Sequence, residues 1–242
     1  DSGVSVECDV PCAVLEGREW KIQLENRRGC ILFTDEGNSF VKTEEFAKAV
    51  RDSDNYFVLI TRENLYNLPY SVEEIYGIRS SGKYQNTQRV YQQMYHIYSG
   101  KQDSPMRPQE VIVEDSNSGY EFFKSICLEN GISCQSAGGK TKIFSKLLNL
   151  GDQEICVIAD GAALGAEMKT LYDWTQEHEN VVLYLPESFE WLLLKSDIIS
   201  EGDIHNVLEK PEEYIQSQLY FSWEQFFTKL LVDRTQDTYL KY

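Results

Sequence analysis

Short apolar segments alternate with amphipathic helical patterns through the second half of this 242-residue chain. Each apolar segment has the length of a buried strand, and each is followed by a segment with helical periodicity. Strands separated by helices in this way form a parallel sheet with right-handed crossovers. We therefore expect an α/β unit whose strands include EVIVED (110–115), GISCQS (131–136), EICVIAD (154–160) and VVLYL (181–185).

The helices expected between and after these strands follow the same periodicity. Pro186 is expected at or near the first position of one of them, where a proline fits without losing a hydrogen bond. The segments with helical patterns are GYEFFKSICLEN (119–130), KTKIFSKLLNL (140–150), ALGAEMKTLYDWTQEH (163–178), PESFEWLLL (186–194) and WEQFFTKLLVD (223–233).

The first half of the chain also has an α/β pattern. Two buried strands are expected in GCILFTDEG (29–37) and NYFVLITRE (55–63), and a third strand in WKIQL (20–24). Thr43 precedes a segment with a helical pattern, EEFAKAVRD (44–52), and a further helix is expected over QRVYQQMYHIY (88–98). The fold class predicted for the whole chain is thus α/β, with two α/β units.

A polar stretch with two prolines, SGKQDSPMRP (99–108), has the composition of a linker. It predicts one domain over residues 1–105 and a second over 108–242. Charge differs across this stretch: residues 1–107 carry 16 acids and 13 bases, whereas residues 108–242 carry 23 acids and 10 bases. The net charge of the whole chain is −16, which excludes a protein that binds DNA through a basic face alone.

The composition also bears on the compartment. No segment approaches the roughly 18 apolar residues of a membrane span, and no secretory signal is visible, although the chain begins at Asp1 rather than Met. Cys8 and Cys12 have the spacing of half a zinc site, but no second Cys/His pair follows at a matching spacing. We therefore expect reduced, mostly structural thiols in a cytoplasmic protein without a membrane partner.

Acidic residues follow the expected strands of the second half. Ligands of open parallel sheets bind beyond the carboxyl ends of the strands, so acids placed there meet at one edge. Such a cluster of hard oxygen ligands suits Mg²⁺ or Mn²⁺, and the alternative is that these acids are solvated loop residues. On a helix that starts at Pro186, the last two would share a face. The candidate metal ligands are Glu114, Asp115, Asp160, Glu187 and Glu190.

Four segments of the second half resemble the Toprim domain of the overcoming-lysogenization-defect (OLD) type nucleases. They are VIVEDSNSGYEFFKSI, SAGGKTKIFSKLL, ICVIADGAALG and LPESFEWLLL, which together span residues 109–195 approximately. The resemblance implies a protein that binds Mg²⁺ or Mn²⁺ and cuts nucleic-acid phosphodiesters. It also implies a Toprim-like parallel sheet flanked by helices.

The resemblance assigns roles to particular residues. Glu114 matches the glutamate after the first strand of the family, and Asp160 matches the first aspartate of an Asp-x-Asp motif, so both are candidate catalytic residues and metal ligands. Glu187 and Glu190 match the further acids downstream. Two positions depart from the family pattern: Ala162 stands where the second aspartate of Asp-x-Asp is expected, and Ser118 stands where an aspartate often follows the glutamate. Asp115 replaces a usual glycine and is a candidate to compensate in part.

The segment GCILFTDEG resembles the Walker B strand of an AAA or RecA-like P-loop ATPase. The resemblance implies that Asp35 holds Mg²⁺ through water and that Glu36 orients the attacking water. Thr61 and Arg62, which follow the next strand, match the sensor residues of such ATPases. An ATPase joined to a Toprim domain is the arrangement of the OLD-type proteins.

No Walker A sequence, GxxxxGK[ST], occurs in the chain, and the nearest string is CQSAGGKT (134–141). We interpret Gly138, Gly139 and Lys140 as a turn and helix start whose backbone N–H groups can hold an anion. ATP would then bind only if residues outside this chain supplied a P-loop.

Three functions stay open at this stage. The first is an ATPase-associated, Toprim-like protein that cleaves nucleic acid with a divalent metal. The second is a catalytically inactive Toprim-like module that binds a protein partner or a second copy of itself, or that regulates a larger assembly. The third is a nucleotide-dependent switch that takes its P-loop from outside this chain.

Overall fold

The computed structural model describes residues 8–80, 92–98, 106–196, 198–199 and 204–236. The fold is α/β, as the sequence predicts, with two parallel sheets flanked by helices. Contacts divide the chain into two compact units. Unit 1 holds the described residues up to Leu68 and Gln216–Phe221, and unit 2 holds those of Pro69–Ile215 and from Ser222 onward. This division assigns residues 69–80 and 92–98 to unit 2, whereas the linker prediction placed them in the first domain. Residues 99–105 of that linker lie outside the described residues.

Unit 1 contains a parallel sheet of three strands in the order β1-β2-β3. The strands are β1 (Cys12–Val14), β2 (Ile31–Thr34) and β3 (Tyr56–Leu59). The last two confirm the strands expected in GCILFTDEG and NYFVLITRE. The sheet register sets Thr34 opposite Leu59, so the residues after β2 and after β3 leave the sheet at the same edge.

Two helices pack their aromatic side chains together in unit 1. They are α1 (Trp20–Glu25) and α2 (Glu44–Arg51), and Thr43 caps α2 by accepting a hydrogen bond from the backbone N–H of Phe46. The strand predicted for WKIQL (20–24) is therefore wrong. Trp20 and Leu24 are buried whereas Ile22 is 60% exposed, which is the i, i+4 spacing of a helix rather than the alternation of a strand.

Unit 2 begins with an antiparallel pair of strands, β4 (Tyr76–Ser80) and β5 (Gln92–His96). The helix predicted over 88–98 is wrong for the part that the structure describes, and residues 88–91 lie outside it. The segment pairs along its whole described strand with β4, so backbone bonds to a neighbouring strand prevail over the helical spacing of its aromatic residues.

The main sheet of unit 2 has four parallel strands in the order β7-β6-β8-β9. They are β6 (Glu110–Val113), β7 (Ser133–Ser136), β8 (Ile155–Ile158) and β9 (Val181–Tyr184), and they confirm the four strands that the sequence predicts.

Helices cover both faces of this sheet. Those packed on it are α3 (Ser118–Glu129), α4 (Ile143–Leu147) and α5 (Gly165–Thr175). Three further helices follow: α6 (Phe189–Lys195), α7 (Ile204–Glu209) and α8 (Trp223–Thr235). Val111 and Val113 of β6 pack with Cys127 of α3, whereas Ile112 between them packs in a second cluster with residues of α4 and α5. Successive side chains of a strand point to opposite faces, so β6 is buried on both sides.

A separate cluster joins the last three helices. Leu194 of α6, Leu208 of α7 and Phe227 of α8 are buried together. Within the described ranges, none of the helices is both long enough and apolar enough to cross a membrane.

Candidate functional site

The strand order of unit 2 reverses direction between β6 and β8. The chain passes from β6 to β7 on one side and then returns to β8 on the other side. In open parallel sheets the crevice at such a reversal, outside the carboxyl ends of the strands, is where ligands bind. Glu114 follows β6 and Asp160 follows β8, and these two strands are adjacent and parallel. The topology therefore brings the two acids to the same edge of the sheet, as the sequence predicts.

Glu114 is held in place by backbone groups from both neighbouring loops. Its Oε2 accepts a hydrogen bond of 3.2 Å from the backbone N–H of Asp160, and its carboxyl group also interacts with the backbone N–H of Lys140. Burial nevertheless outweighs these bonds and raises the pKa of Glu114 above its ordinary value of 4.5. The side chain is thus fixed at the crevice but poorly solvated as an anion.

Asp160 lies among several other acids, which we call the carboxylate cluster: Glu114, Asp160, Glu190 and Glu224. Burial and then the negative charges of Glu114, Glu224 and Glu190 raise the pKa of Asp160 well above its ordinary value of 3.8. Burial, Glu114 and Glu190 raise the pKa of Glu224 in the same way. Like charges brought together out of water favour binding of a proton or a cation.

Lys140 brings a positive charge to this cluster. Its ammonium group donates a hydrogen bond of 2.8 Å to the backbone carbonyl of Ala163, and its charge lowers the pKa of Glu114 and of Glu224, against the larger effect of burial. The turn before it needs glycine, because Gly138 and Gly139 have φ angles of 74° and 115°. The interpretation of Gly138-Gly139-Lys140 as a turn and helix start is confirmed by the short 3-10 helix Lys140–Lys142.

Asp115 has a structural role. Its Oδ1 accepts hydrogen bonds from the backbone N–H groups of Ser116 and Asn117 at 2.6 and 2.9 Å, and its Oδ2 accepts one from Gly119 at 3.1 Å. Ser116 and Asn117 lie in the turn that leads into α3, whereas Gly119 is in the first turn of the helix, where its N–H has no partner within the helix. Asp115 therefore caps α3, although its charge still contributes to raising the pKa of Asp160.

Glu187 is separated from Glu190 because the helix starts later than expected. The first residue of α6 is Phe189 rather than one at or near Pro186, and Ser188 caps the helix: its Oγ accepts a hydrogen bond of 3.1 Å from the backbone N–H of Trp191. Glu187 precedes this cap and does not share a helical face with Glu190. Its carboxylate accepts hydrogen bonds of 3.0 Å at both oxygens from the hydroxyl of Ser71, and its charged neighbours are glutamates that follow Ser71.

Two acids near the crevice were missed from the sequence. Glu224 lies in the first turn of α8, after its cap Ser222, and Glu167 lies in the first turn of α5. Glu167 has one carboxylate oxygen that is buried without a hydrogen-bond partner among the described residues, and Lys140 and Glu114 both affect its pKa. Neither acid directly follows a strand, and the place of α8 in the fold depends on the packing of Phe227 with Leu194 and Leu208, so the strand-end rule did not find them.

The structure also gives the positions of the two residues that depart from the Toprim pattern, Ala162 and Ser118. Ala162 is 1% exposed, and its backbone N–H donates to the carbonyl of Glu187 at 3.0 Å. Ser118 is the first residue of α3. Gly161, between Asp160 and Ala162, approaches the chain after β9 so closely that a Cβ would lie 2.7 Å from the carbonyl oxygen of Leu185.

The donor chemistry of the crevice suits a hard divalent cation. Within the part of the chain that the structure describes, no group of three or more His, Cys, Asp or Glu side chains is arranged to hold a metal ion by itself. Mg²⁺ usually keeps several waters and takes only one or two carboxylates, with further oxygens from substrate phosphates. Glu114 and Asp160 bring two carboxylates to the ends of the adjacent strands β6 and β8.

The Walker B-like residues of unit 1 are engaged in local contacts. Glu36 and Arg62 form an ion pair of 2.6 Å, which joins the segments after β2 and β3. Thr61 accepts a hydrogen bond from the backbone N–H of Glu63, and Oδ1 of Asp35 accepts one from Glu36 at 2.7 Å. Asp35 also lines an open cavity of about 500 Å³ together with Glu16, Gly17, Arg18, Glu19, Gln23, Gly37 and Asn38.

These features define a parallel α/β protein with a carboxylate-lined crevice at the reversal of its main sheet. Comparisons of the chain with protein-family models, with curated proteins and with solved structures give no match.

Proposed function

We propose that unit 2 is a Toprim-like domain that cleaves nucleic-acid phosphodiesters with Mg²⁺ or Mn²⁺. The observation that carries the proposal is the meeting of Glu114 and Asp160 at the sheet reversal, where the backbone N–H of Asp160 holds the Glu114 carboxylate at 3.2 Å. Glu114 and Asp160 would hold the ion, and Glu190 and Glu224 would add negative charge around it. When bound, such an ion supplies Lewis acidity and neutralises phosphate charge.

Other groups of the chain would orient the metal ligands and attract the substrate. The backbone N–H groups of Asp160 and Lys140 keep the Glu114 carboxylate oriented, so that it loses little freedom on binding a cation. The ammonium of Lys140 lies beside the same acids and would attract a phosphate group. Residues 108–242 carry a net charge of −13, so cation binding would be needed before a polyanion could approach.

Cleavage of labelled single- and double-stranded DNA and RNA with millimolar Mn²⁺ tests this proposal. We expect cleavage by the wild type and a loss of at least about 100-fold in Glu114→Gln and in Asp160→Asn. Glu129→Gln, at an exposed position at the end of α3, is the matched control and should cleave as the wild type does. Cleavage that persists unchanged in both crevice variants would reject the proposal.

A second candidate function is favoured because one expected metal ligand forms a helix cap and a carboxylate of the family pattern is missing. Asp115 caps α3, and Ala162 is buried at the position where the family has an aspartate. A catalytically inactive Toprim-like module that binds a protein partner or a second copy of itself would show no cleavage with any substrate. A change of sedimentation with protein concentration would then identify self-association.

The ATP-dependent switch is the third proposal, and it concerns unit 1. The pairing of Glu36 with Arg62 leaves the Walker B-like glutamate neutralised by an arginine. Binding of a fluorescent ATP analogue to a longer protein that extends upstream of Asp1, compared with this chain, tests whether a P-loop is supplied there. We propose a cytoplasmic location for all three functions.

A further inference from the structure

Residues 69–75, at the start of unit 2, pack against the loop that carries Asp160. These residues, which we call the 69–75 segment, contain the short 3-10 helix Val72–Glu74. That helix contacts both the 3-10 helix Gly161–Ala163, which directly follows Asp160, and α5. The 69–75 segment therefore lies against residues 160–165, which we call the Asp160 loop.

Two glycines of the Asp160 loop allow the 69–75 segment to come close. A Cβ on Gly165 would lie 2.4 Å from the carbonyl oxygen of Tyr70. The backbone N–H of Gly165, which has no partner within α5, donates a hydrogen bond of 3.1 Å to that same carbonyl. A Cβ on Gly161 would lie 3.1 Å from Cγ2 of Val72, which is fully buried. Because close-packed interiors transmit strain, a shift of one segment would displace the other.

A chain of buried hydrogen bonds also connects Ser71 with the Asp160 loop. The hydroxyl of Ser71 lies 3.0 Å from each carboxylate oxygen of Glu187, and the two residues are 2% and 9% exposed. The backbone carbonyl of Glu187 in turn accepts a hydrogen bond of 3.0 Å from the N–H of Ala162. A satisfied polar pair inside a core fixes the relative position of its two segments more narrowly than apolar packing does.

The position of the Asp160 loop determines the geometry of the carboxylate cluster. The backbone N–H of Asp160 holds the Glu114 carboxylate at 3.2 Å, and the carbonyl of Ala163 accepts the hydrogen bond from the Lys140 ammonium. A shift of this loop would therefore move Asp160 and change the orientation of Glu114 at the same time. Metal ligands have to be held to within about 0.5 Å of the productive geometry, so a small shift is sufficient to weaken binding.

We propose that Ser71 is a positioning residue of the metal site. By holding the Glu187 carboxylate, Ser71 fixes the Asp160 loop in the place where Asp160 and Glu114 can bind one cation together. Ser71 acts only through Glu187 and contacts neither the cation nor the substrate. The inference rests on the proposed metal site, and it adds a side chain from outside the crevice to that site.

Calorimetric titration with Mn²⁺ at pH 8, where protons compete least with the cation, tests the proposal. Wild-type binding that is lost in Glu114→Gln/Asp160→Asn first establishes the crevice as the site. We then expect Ser71→Ala to weaken this binding about tenfold, the low end of the range for residues that hold metal ligands in place. Unchanged binding in Ser71→Ala would overturn the inference.

Substitutions of Glu187 keep the test decisive if Ser71→Ala does not fold. Glu187→Gln retains an oxygen that accepts from Ser71 and should bind Mn²⁺ as the wild type does. Glu187→Met has no such oxygen and should bind about tenfold more weakly. Adding Ser71→Ala to Glu187→Met should cause no further loss, because the two residues act as one unit. Equal binding by the Gln and Met variants, or additive losses, would contradict the inference.

Thr235→Val is the matched control. It removes another buried hydroxyl, at the last residue of α8, and should leave Mn²⁺ binding unchanged. Equal weakening in Thr235→Val and Ser71→Ala would attribute the effect to a general loss of stability and would overturn the positioning role. If the wild type shows no binding that depends on Glu114 and Asp160, the proposed metal site is itself rejected, and the inference with it.

Discussion

Glu187 is a buried carboxyl group whose protonation affects stability. Burial, together with the negative charges of Glu73 and Glu74, raises its pKa from 4.5 to about 7 despite the hydrogen bond from Ser71. Because the folded state binds this proton more tightly than the unfolded state, the stabilising contribution is full below about pH 4.5 and is lost as the pH rises through about 7. The difference in pKa corresponds to about 3 kcal/mol.

We therefore expect the free energy of unfolding of the wild type to fall between pH 5 and pH 8. In Glu187→Gln the fall should be smaller by up to about 3 kcal/mol, because the amide stays neutral at every pH. Urea denaturation at several pH values measures both slopes. Identical slopes in the wild type and the variant would show that Glu187 is ionised in the folded protein at neutral pH.

Asp115 should matter for stability. Its carboxylate accepts three backbone hydrogen bonds at the start of α3, so Asp115→Ala should cost about 1–2 kcal/mol, as other helix caps do. Asp115→Asn keeps an oxygen acceptor and should cost less. Urea denaturation of both variants at pH 7 tests this order, and a larger loss in the asparagine variant would contradict a capping role.

The sequence predicted which acids lie near the strand ends but not which of them form hydrogen bonds with other parts of the chain. Glu114 and Asp160 follow adjacent parallel strands, and the strand-end rule alone brings them together. Asp115 and Glu187 were predicted as ligands with them, and the structure gives them other hydrogen-bond partners. Caps of this kind depend on one or two side-chain bonds at a helix start, which periodicity does not resolve.

At the scale of elements, the sequence predicted the long, strongly patterned ones best. All four strands of the main sheet and the helices α3, α5 and α8 were found from pattern alone. The segment WKIQL and the described part of QRVYQQMYHIY were assigned the wrong type, because the apolar residues of such short segments fit both the helical and the strand period. Tertiary contacts decided between them: aromatic packing for the first, and pairing with β4 for the second.

The helix α1 gives a direct test of that packing. In a strand, Trp20 and Ile22 would lie on the same face and would be affected alike by substitution. In α1, Trp20 stacks on Phe40 with ring centroids 5.1 Å apart, whereas Ile22 is exposed. We expect Trp20→Ala to cost about 3–5 kcal/mol and Ile22→Ala less than about 0.5 kcal/mol, measured by urea denaturation. Similar losses in the two variants would contradict the helix.

At the scale of the whole molecule, the carboxylate cluster joins residues far apart in the chain. Glu114 and Asp160 come from the sheet, whereas Glu224 comes from α8 near the end of the described residues. No local pattern places α8 beside the sheet, because its position follows from the packing of Leu194, Leu208 and Phe227. The sequence therefore predicted Glu114 and Asp160 as part of the site but could not predict Glu224.

The cluster makes the stability of the molecule depend on pH and on divalent cations together. Burial raises the pKa of Glu114, Asp160 and Glu224, so each contributes stability that is full below its unfolded value and lost as the pH rises through its folded value. A cation that binds the ionised carboxylates would replace the lost protons. We therefore expect Mg²⁺ or Mn²⁺ to stabilise the protein more at pH 8 than at pH 5.

A thermal melt with and without millimolar Mn²⁺ at the two pH values measures this coupling. A ligand present at about 100 times its dissociation constant adds about 2.7 kcal/mol of stability, so the melting temperature should rise clearly at pH 8. In the double variant Glu114→Gln/Asp160→Asn the rise should vanish, while Glu129→Gln should keep it. A rise that persists in the double variant would place the cation elsewhere, since two neutral amides cannot replace the carboxylates that Mg²⁺ and Mn²⁺ require.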